Sequence, residues 1–573
     1  MREIPEIRDL GIKPYGACPN ERQLRHLRRF SKKAFFHFGV NTFTDLEWGE
    51  GKEREELFAP TALDTRQWAR AAAQAGFSLG IITAKHHDGF CLWQSRHTEH
   101  CMKNSPYKNG QGDVVRKFAD ACREYGLGVG VYVSPWDRNA PFWGTDKYSE
   151  YYAAQLTELM TEYGPIDEVW WDGAGSAETP YDWALWHRII RENQPNAAIF
   201  GSMGATEFVD FRWVGNESGY AGRTHYACID PEYLIHETPA ELNRGSVCGA
   251  DWEKNGLRYI PAEVDVSVRP GWFYHADQDG EVKSVKRLTD IWFDSVGSNA
   301  MMLLNFPPDR RGLVCDRDAE NALLSDRIIA SAFAVNLAFG AVISADNTLC
   351  PGAEAENLLQ PYEGCYYAAS EKRAEITLRL PRKTDFNAYS LEEVIELGER
   401  VTGHALYARS DGEDWRLICE NTSVGNLRAE HFEITAAEEV RLIIEGVAPP
   451  VLRSFGLHLL PDSEMGEERN VNGSFDLLKR STARTEVSED KRALFVELGG
   501  IYPFNNIRMN CDGVWRAEIY AFNGQSYELI RIERLPAREC EIALKEPING
   551  CYRIKIVLDK PLADKLSPEI YLL

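Results

Sequence analysis

The sequence predicts an α/β protein, a (β/α)8-like barrel, followed by one or two all-β sandwich domains. Three observations carry this. Up to about residue 345, short apolar strands alternate with helical segments. The strands are continuously apolar and do not alternate, the pattern of a parallel sheet covered on both faces. Their number is close to eight, which favours closure into a barrel over an open sheet. Beyond that point the strands become short and alternating, separated by turn residues, as in antiparallel sandwiches. A chain of 573 residues exceeds what one core can organise. The expected units are a barrel over 1–345, a sandwich over 346–461 and a second sandwich over 462–573.

The elements follow in order. AFFHFGV (34–40) is an apolar strand, and TRQWARAAAQAGF (65–77) has helical spacing. LGIITAKHHDGF (79–90) is a strand running into a polar loop. GDVVRKFADACREYGL (112–127) is a helix with Asp113 placed to cap its start and Gly126 its end. VGVYVSPWD (129–137) is the third strand. A helix near 148–163 leads into DEVWWDG, and a helix near 181–193 leads into AAIFGS (197–202). VDVSVRPGW (264–272) and AMMLLNFPPD (300–309) close the series, with a helix near 283–296 between them. The stretch 203–262 is loop-rich, so strands six and seven are expected to be short or distorted. In the second half, AEITLRL, HALYARS, WRLICE, EVRLIIEG and RSFGLHLL form one set of strands. ALFVEL, NNIRMNC, WRAEIYAF, YELIRIERL and YRIKIVLD form another, with a cadence that suggests a weak duplication.

Composition narrows the functional classes. A formal net charge of −23 argues against nucleic acid or an anionic membrane as a partner. No run of about 18 apolar residues is present. The charged start lacks the apolar core of a secretory signal, and 13 cysteines without CxxC spacing suit reduced thiols. The chain therefore reads as cytoplasmic, a leaderless form of a secreted protein being the alternative.

The chemistry is expected at the C-terminal ends of the barrel strands, where such folds collect their active sites. There stand His37, Glu47 and Trp48 after strand one, and His86 and His87 after strand two. Tyr132 and Trp136 close strand three, and Trp170, Trp171 and Asp172 close strand four. A strand-end carboxylate among tryptophans points to a glycoside hydrolase with Asp172 as nucleophile. Such chemistry needs a second carboxyl group. Glu217, in FRWVGNESGY, is the best candidate, with Asp210, Glu237 and Glu263 behind it. Arg212 is placed to pair with the nucleophile or to donate to a sugar hydroxyl. Trp170 is expected to face the site and Trp171 the opposite side of the strand. Adjacent histidines diverge on a strand and no further ligand stands at metal spacing, so neither a metal nor another cofactor is expected. A metal-dependent hydrolase using His86 and His87, and an inactive sugar-binding barrel, are the rival readings.

These motifs together carry a resemblance. HFG with His37, KHHDGF with His86 and His87, VWWDG with Asp172, and LLNFPPD (303–309) resemble the α-L-fucosidases of glycoside hydrolase family 29 over roughly 20–310. The resemblance implies a barrel with a β-sandwich, retaining hydrolysis of α-L-fucosides, and Asp172 as nucleophile. The NESG loop with Glu217 resembles the branch specific for α-1,3/1,4-linked fucose in branched glycans; a broad-specificity member is the alternative. The resemblance further implies that His37, Glu47, Trp48, His86, His87, Tyr132 and Arg212 line the fucose pocket, with Trp170 and Trp272 as apolar walls. The substrate partner would be a fucosylated oligosaccharide or glycan. The sandwiches resemble galactose-binding-type modules, the first expected to buttress the barrel and the second, 462–573, open between buttressing and carbohydrate binding.

Overall fold

The computed structural model describes residues 11–172, 174, 179–201, 205–230, 256–359 and 365–460. Beyond these it describes 475–476, 484–488, 490, 492–510, 515–522, 527–535, 539–558 and 567–572. Eight parallel strands close a barrel: β1 (Lys32–Phe36), β2 (Leu79–Lys85), β3 (Gly128–Val133), β4 (Glu168–Trp171), β5 (Ala198–Gly201), β6 (Phe211–Trp213), β7 (Ala262–Ser267) and β8 (Met301–Asn305). Each pairs with its chain neighbour, and β8 returns to β1. The sixth strand is only three residues long and the seventh has six. The helix Val114–Glu124 starts where expected: the Asp113 side chain accepts from the Arg116 amide, and Gly126 takes φ +76° just beyond its end.

Alternate strand residues divide between two cores. Outward-facing Phe36, Ile82, Val131, Val169 and Trp171 pack under the helices. Inward-facing Phe35, Ile81, Tyr132, Trp170, Phe200, Phe211 and Leu303 fill the barrel. The first helix, Glu21–Arg29, seals the bottom. Asn20 and Gln23 cap it reciprocally, and its Leu27 joins the barrel core together with Phe30 just beyond. Above this plug Lys33 bonds Glu168 at 2.6 Å and also bonds Glu263, all three fully buried. Burial opposes the Lys33 charge, but the two glutamates outweigh it and raise its pKa. Removing one member of such a group strands a buried charge, at a cost of about 3–5 kcal/mol. Trp170 donates its indole N–H to Glu263 Oε1 at 2.7 Å, so the cavity above rests on this charged layer.

A seven-stranded antiparallel sheet follows, beginning at Val342–Ala345. Its two longest strands, Arg373–Glu393 and Arg428–Gly446, bend at register shifts near Arg379 and Phe386. Ile376, Leu378, Leu442 and Ile444 alternate into its own core. A further seven-stranded sheet occupies the C-terminal part. The two share a strand order: Val451–His458, Arg373–Glu393, Arg428–Gly446, Val401–Arg409, Arg416–Asn421 corresponds to Ser567–Leu572, Ala493–Asn510, Glu539–Leu558, Trp515–Phe522, Tyr527–Leu535. The shared cadence of the two sequence halves thus has a topological counterpart. Among the described residues no helix is long and apolar enough to cross a membrane.

Candidate active site

At the C-terminal mouth of the barrel lies a cavity of about 220 Å³. This is below the roughly 300–1,000 Å³ of drug-sized pockets and suits a single sugar ring. Its walls include Phe35, His37, Glu47, Trp48, His86, His87, Tyr132, Trp170, Asp172, Phe200, Trp213, Glu217, Asp265 and Trp272. Asp172, Glu217 and all the residues that the resemblance placed in the fucose pocket line it except Arg212, and Trp136 is not among its walls.

Asp172 follows β4 directly, which aims its carboxylate into the mouth. Its Oδ2 accepts from the Tyr132 hydroxyl at 2.8 Å, and its Oδ1 from the Ala174 amide at 2.8 Å. The next helix is capped by Asp182, not by Asp172. Tyr132 is fully buried, and burial with the Asp172 charge pushes its pKa well up, so it remains a phenol and a donor.

The histidines present acceptors. Asn305 is oriented by its neighbours: its Nδ2 donates to Ser267 Oγ and the Trp272 carbonyl, and its Oδ1 accepts from the His37 amide. His37 Nδ1, 2.9 Å from the same Oδ1, therefore carries the proton. Burial lowers the His37 pKa to about 3, so Nε2 is a bare acceptor. Likewise Ser134 Oγ donates to the Trp136 carbonyl and so accepts from His87 Nδ1 at 2.7 Å. Burial lowers the His87 pKa, although Asp172 pulls the other way. Its Nε2 stands 3.6 Å from Asp172 Oδ2, too far for a hydrogen bond. His86 stacks on Tyr132 with ring centroids 5.5 Å apart, and burial keeps it neutral. Two neutral Nε2 atoms beside a carboxylate suit hydroxyl donors of a sugar.

Glu217 stands at the rim, one side exposed to solvent, its carboxyl turned in so that Oε2 accepts from Trp272 Nε1 at 3.1 Å. Partial burial of the carboxyl raises its pKa. The Trp272 N–H partly offsets this, and the charges of Asp172 and Glu47 add to the rise. Trp272 is held in turn: Glu47 Oε2 accepts from its amide at 2.9 Å, and its ring lies 5.1 Å from that of His37. Glu47 also bonds His275 Nε2 at 2.6 Å, while His275 Nδ1 meets Asp45 at 3.0 Å. Burial opposes the His275 charge, but these two carboxylates prevail and raise its pKa. Trp48, 51% exposed, meets His87 and Trp136 edge-on at the rim.

The segment after β6 is tied down from two sides. Ser218 O accepts from Arg287, and the Ala221 amide donates to Asp294 O. From the sandwich, Arg428 donates to Arg223 O at 2.8 Å and Ser423 Oγ accepts from the His225 amide. Glu399, fully buried, accepts from the amides of Ala227 and Cys228 and from Asn299 Nδ2.

Arg212 corrects the expectation that it lines the pocket. It is 2% exposed, with Nη2 3.0 Å from His225 Nε2 and Nη1 bonded to the Trp213 carbonyl. Trp213 faces inward, so its strand neighbour faces out. The lesser acids also have other work. Asp210 pairs with Arg191 and Arg22, Glu263 lies beneath the floor, and Glu237 is outside the described residues. Sequence reasoning missed Phe35, Phe200, Trp213 and Asp265 as cavity walls. The alternating polar residues of AEVDVS, Glu263, Asp265 and Ser267, were the available signal for Asp265. Among the described residues no three His, Cys, Asp or Glu side chains converge as a metal site.

Comparison with known proteins places this arrangement. Residues 20–325 match the family model described as Alpha-L-fucosidase. Alpha-L-fucosidase 1 of Arabidopsis thaliana is 38% identical over 472 residues, 80% of this chain and 90% of the relative. A glycoside hydrolase 29 family member from an unknown rumen bacterium superposes with a TM-score of 0.68 at 30% identity, covering 98% of this chain and 100% of that one. A Ruminococcus gnavus GH29 fucosidase, solved in complex with fucose, gives 0.71 at 28% identity, with 80% and 99% covered. With the family match spanning more than half its length and the plant relative most of it, the chain belongs to the α-L-fucosidase family, glycoside hydrolase family 29.

Proposed function

We propose that this α-L-fucosidase is a retaining, exo-acting enzyme that releases α-1,3/1,4-linked L-fucose from branched, Lewis-type oligosaccharides by double displacement. The observation that carries the reading is the pairing, in one monosaccharide-sized cavity, of two carboxyls in unlike settings. Asp172 is fixed on a strand end with both oxygens accepting hydrogen bonds. Glu217 sits on the rim, partly desolvated, with its pKa raised. Unlike settings of this kind support Asp172 as nucleophile and Glu217 as acid. Asp172 attacks the anomeric carbon while Glu217 protonates the departing glycosidic oxygen. Glu217, now a carboxylate, then takes a proton from the water that cleaves the fucosyl–Asp172 ester, and the configuration is retained. The neutral His37 and His87 Nε2 atoms accept from sugar hydroxyls, and the aromatic walls meet the C5 methyl. The linkage preference is supported by the placement of Glu217 in the NESG loop, beside Trp213 and Trp272.

Azide rescue tests the two roles. Asp172→Ala with azide should yield β-fucosyl azide by a single inversion. Glu217→Ala with azide should yield α-fucosyl azide from the intermediate. Interchanged products would reverse the assignment. For linkage, Lewis a and Lewis x trisaccharides should be cleaved at least about tenfold faster than 2′-fucosyllactose, a difference of about 1.4 kcal/mol in transition-state binding. Equal rates would make the enzyme a broad-specificity member.

A further inference from the structure

Four carboxyl groups line the cavity, and the reaction proposed above uses two of them. Glu47 is engaged by the Trp272 and Phe273 amides and by His275. The fourth, Asp265, has no part in that scheme. It lies mid-strand on the inner face of β7, 4% exposed, one inward step above Glu263 and one below Ser267. Trp213 Nε1 donates to its Oδ1 at 2.8 Å. Apart from the Asp265 amide, which also bears on the carboxyl, no other described residue is seen to bond Oδ2, and the side chain forms part of the cavity wall. We propose that Asp265 is a further substrate-binding residue, whose Oδ2 carries a proton and donates a hydrogen bond to a hydroxyl oxygen of the bound sugar. The inference rests on the reading of this cavity as the fucoside site.

Three features support a donor role. No Lys, Arg or His lies within ion-pair distance of Asp265 among the described residues. Glu217 and Glu263 are the charged groups that bear on it. Burial raises its pKa well above the usual carboxylate range; Glu217 and Glu263 add to this when ionised, and the Trp213 N–H and the Asp265 amide offset it only in part. A carboxyl in such a place keeps its proton and offers O–H, not a second negative charge. The rest of the cavity needs this. His37 and His87 present bare Nε2 acceptors, and Asp172 accepts through both oxygens. A sugar hydroxyl that donates to one of these has lone pairs left over. Among the cavity side chains, Tyr132 O–H and the indole N–H groups of Trp170, Trp213 and Trp272 are already bonded to carboxylates. Besides Trp48 at the exposed rim and the neutral His86 ring, Asp265 supplies a donor that is not, and it does so from the inner wall.

The test is competitive inhibition by L-fucose and its 2-, 3- and 4-deoxy analogues against wild type, Asp265→Asn and Asp265→Leu, with thermal midpoints as a folding control. Asn can accept from Trp213 through its oxygen and present N–H to the cavity, so it should bind L-fucose within about threefold of wild type. Leu should weaken L-fucose by about tenfold or more, and the loss should vanish for one deoxy analogue, the one lacking the partnered hydroxyl. Two results would overturn the proposal: a loss in Asn as large as in Leu, meaning that an ionised carboxylate is needed, or an equal loss for all four sugars, meaning a structural role. Should Leu not fold, Asn and the deoxy series on wild type still decide it, since no analogue then losing affinity selectively in wild type counts against a directed donor. Wild type failing to bind L-fucose at all would instead bring down the fucoside reading itself.

Discussion

Replacing Trp272 by Phe isolates one interaction in the acid–base machinery. The ring that walls the pocket is kept in kind, and the backbone stays pinned by Glu47 and Asn305. What is lost is the indole N–H on Glu217 Oε2. That donor stabilises the carboxylate over the acid, so its removal raises the Glu217 pKa further above an already raised value. A hydrogen bond to a charged group is worth about 1.5–3 kcal/mol. At 3.1 Å, with water reaching one side of Glu217, solvent screening brings this down to roughly 1 kcal/mol. At 1.36 kcal/mol per pH unit, the change is about 0.5–1 unit. Glu217 then remains a competent acid to higher pH, so the basic limb of the kcat/KM profile should move up by that amount. The assay is kcat/KM for a Lewis trisaccharide across pH 4 to 9, which reports the ionisations of the free enzyme. Loss of ring contact lowers the whole curve without displacing the limb, so the two effects separate. A limb that stays in place, or moves down, would refute the assignment of Glu217 as the acid held by Trp272.

Three further outcomes are expected. Ser134→Ala removes the acceptor that fixes the His87 tautomer and should lower kcat/KM by about 5–30-fold, the equivalent of 1–2 kcal/mol; unchanged kinetics would sink the tautomer assignment. Glu399→Leu strands the Ala227 and Cys228 amides and Asn299, and should cost about 3 kcal/mol or more in urea unfolding; a silent change would show that this clamp is not stabilising. His275 has a raised pKa, so its clamp contributes fully below the unfolded histidine pKa of about 6.5 and fades as pH rises through the folded value. The difference in thermal midpoint between wild type and His275→Gln should therefore be larger at pH 5.5 than at pH 9, and the reverse order would contradict the ion-pair reading.

The parts of the site legible in the sequence are those at the ends of apolar runs that stand between clear helices. His37, His86, His87 and Asp172 follow such runs and Tyr132 lies near the end of one, so their position at the mouth follows from chain order. Strand six is different. Phe211–Trp213 is too short to show any period, and with it the facing of each residue is hidden. Arg212 was misplaced for that reason. The same alternation that separates Trp170 from Trp171 separates Trp213 from Arg212, but there was no strand long enough to anchor it. Asp265 was hidden by the opposite circumstance. Its strand was plain, yet a carboxyl between two valines inside a barrel looks like a core anomaly until Trp213, 52 residues away in sequence, is seen to donate to it. Long-range pairing, unlike local period, leaves no local mark.

The two catalytic carboxyls of this reading are supported by different kinds of structure, and the difference matches their tasks. The nucleophile must approach one carbon along one line, and Asp172 is set on a barrel strand whose neighbours on both sides are hydrogen-bonded. The acid must meet a leaving oxygen whose attached sugars vary, and Glu217 stands on a loop. A loop alone would blur the proton's position. Here its flank is held by a helix through Ser218 and Ala221 and, further along, by the sandwich through Arg223, His225, Ala227 and Cys228. The sandwich therefore bears on the chemistry through the chain: it fixes the far end of the segment that carries the acid. Weakening that hold should then lower kcat more than it raises KM, because the glycone walls stand on the barrel and only the proton donor moves.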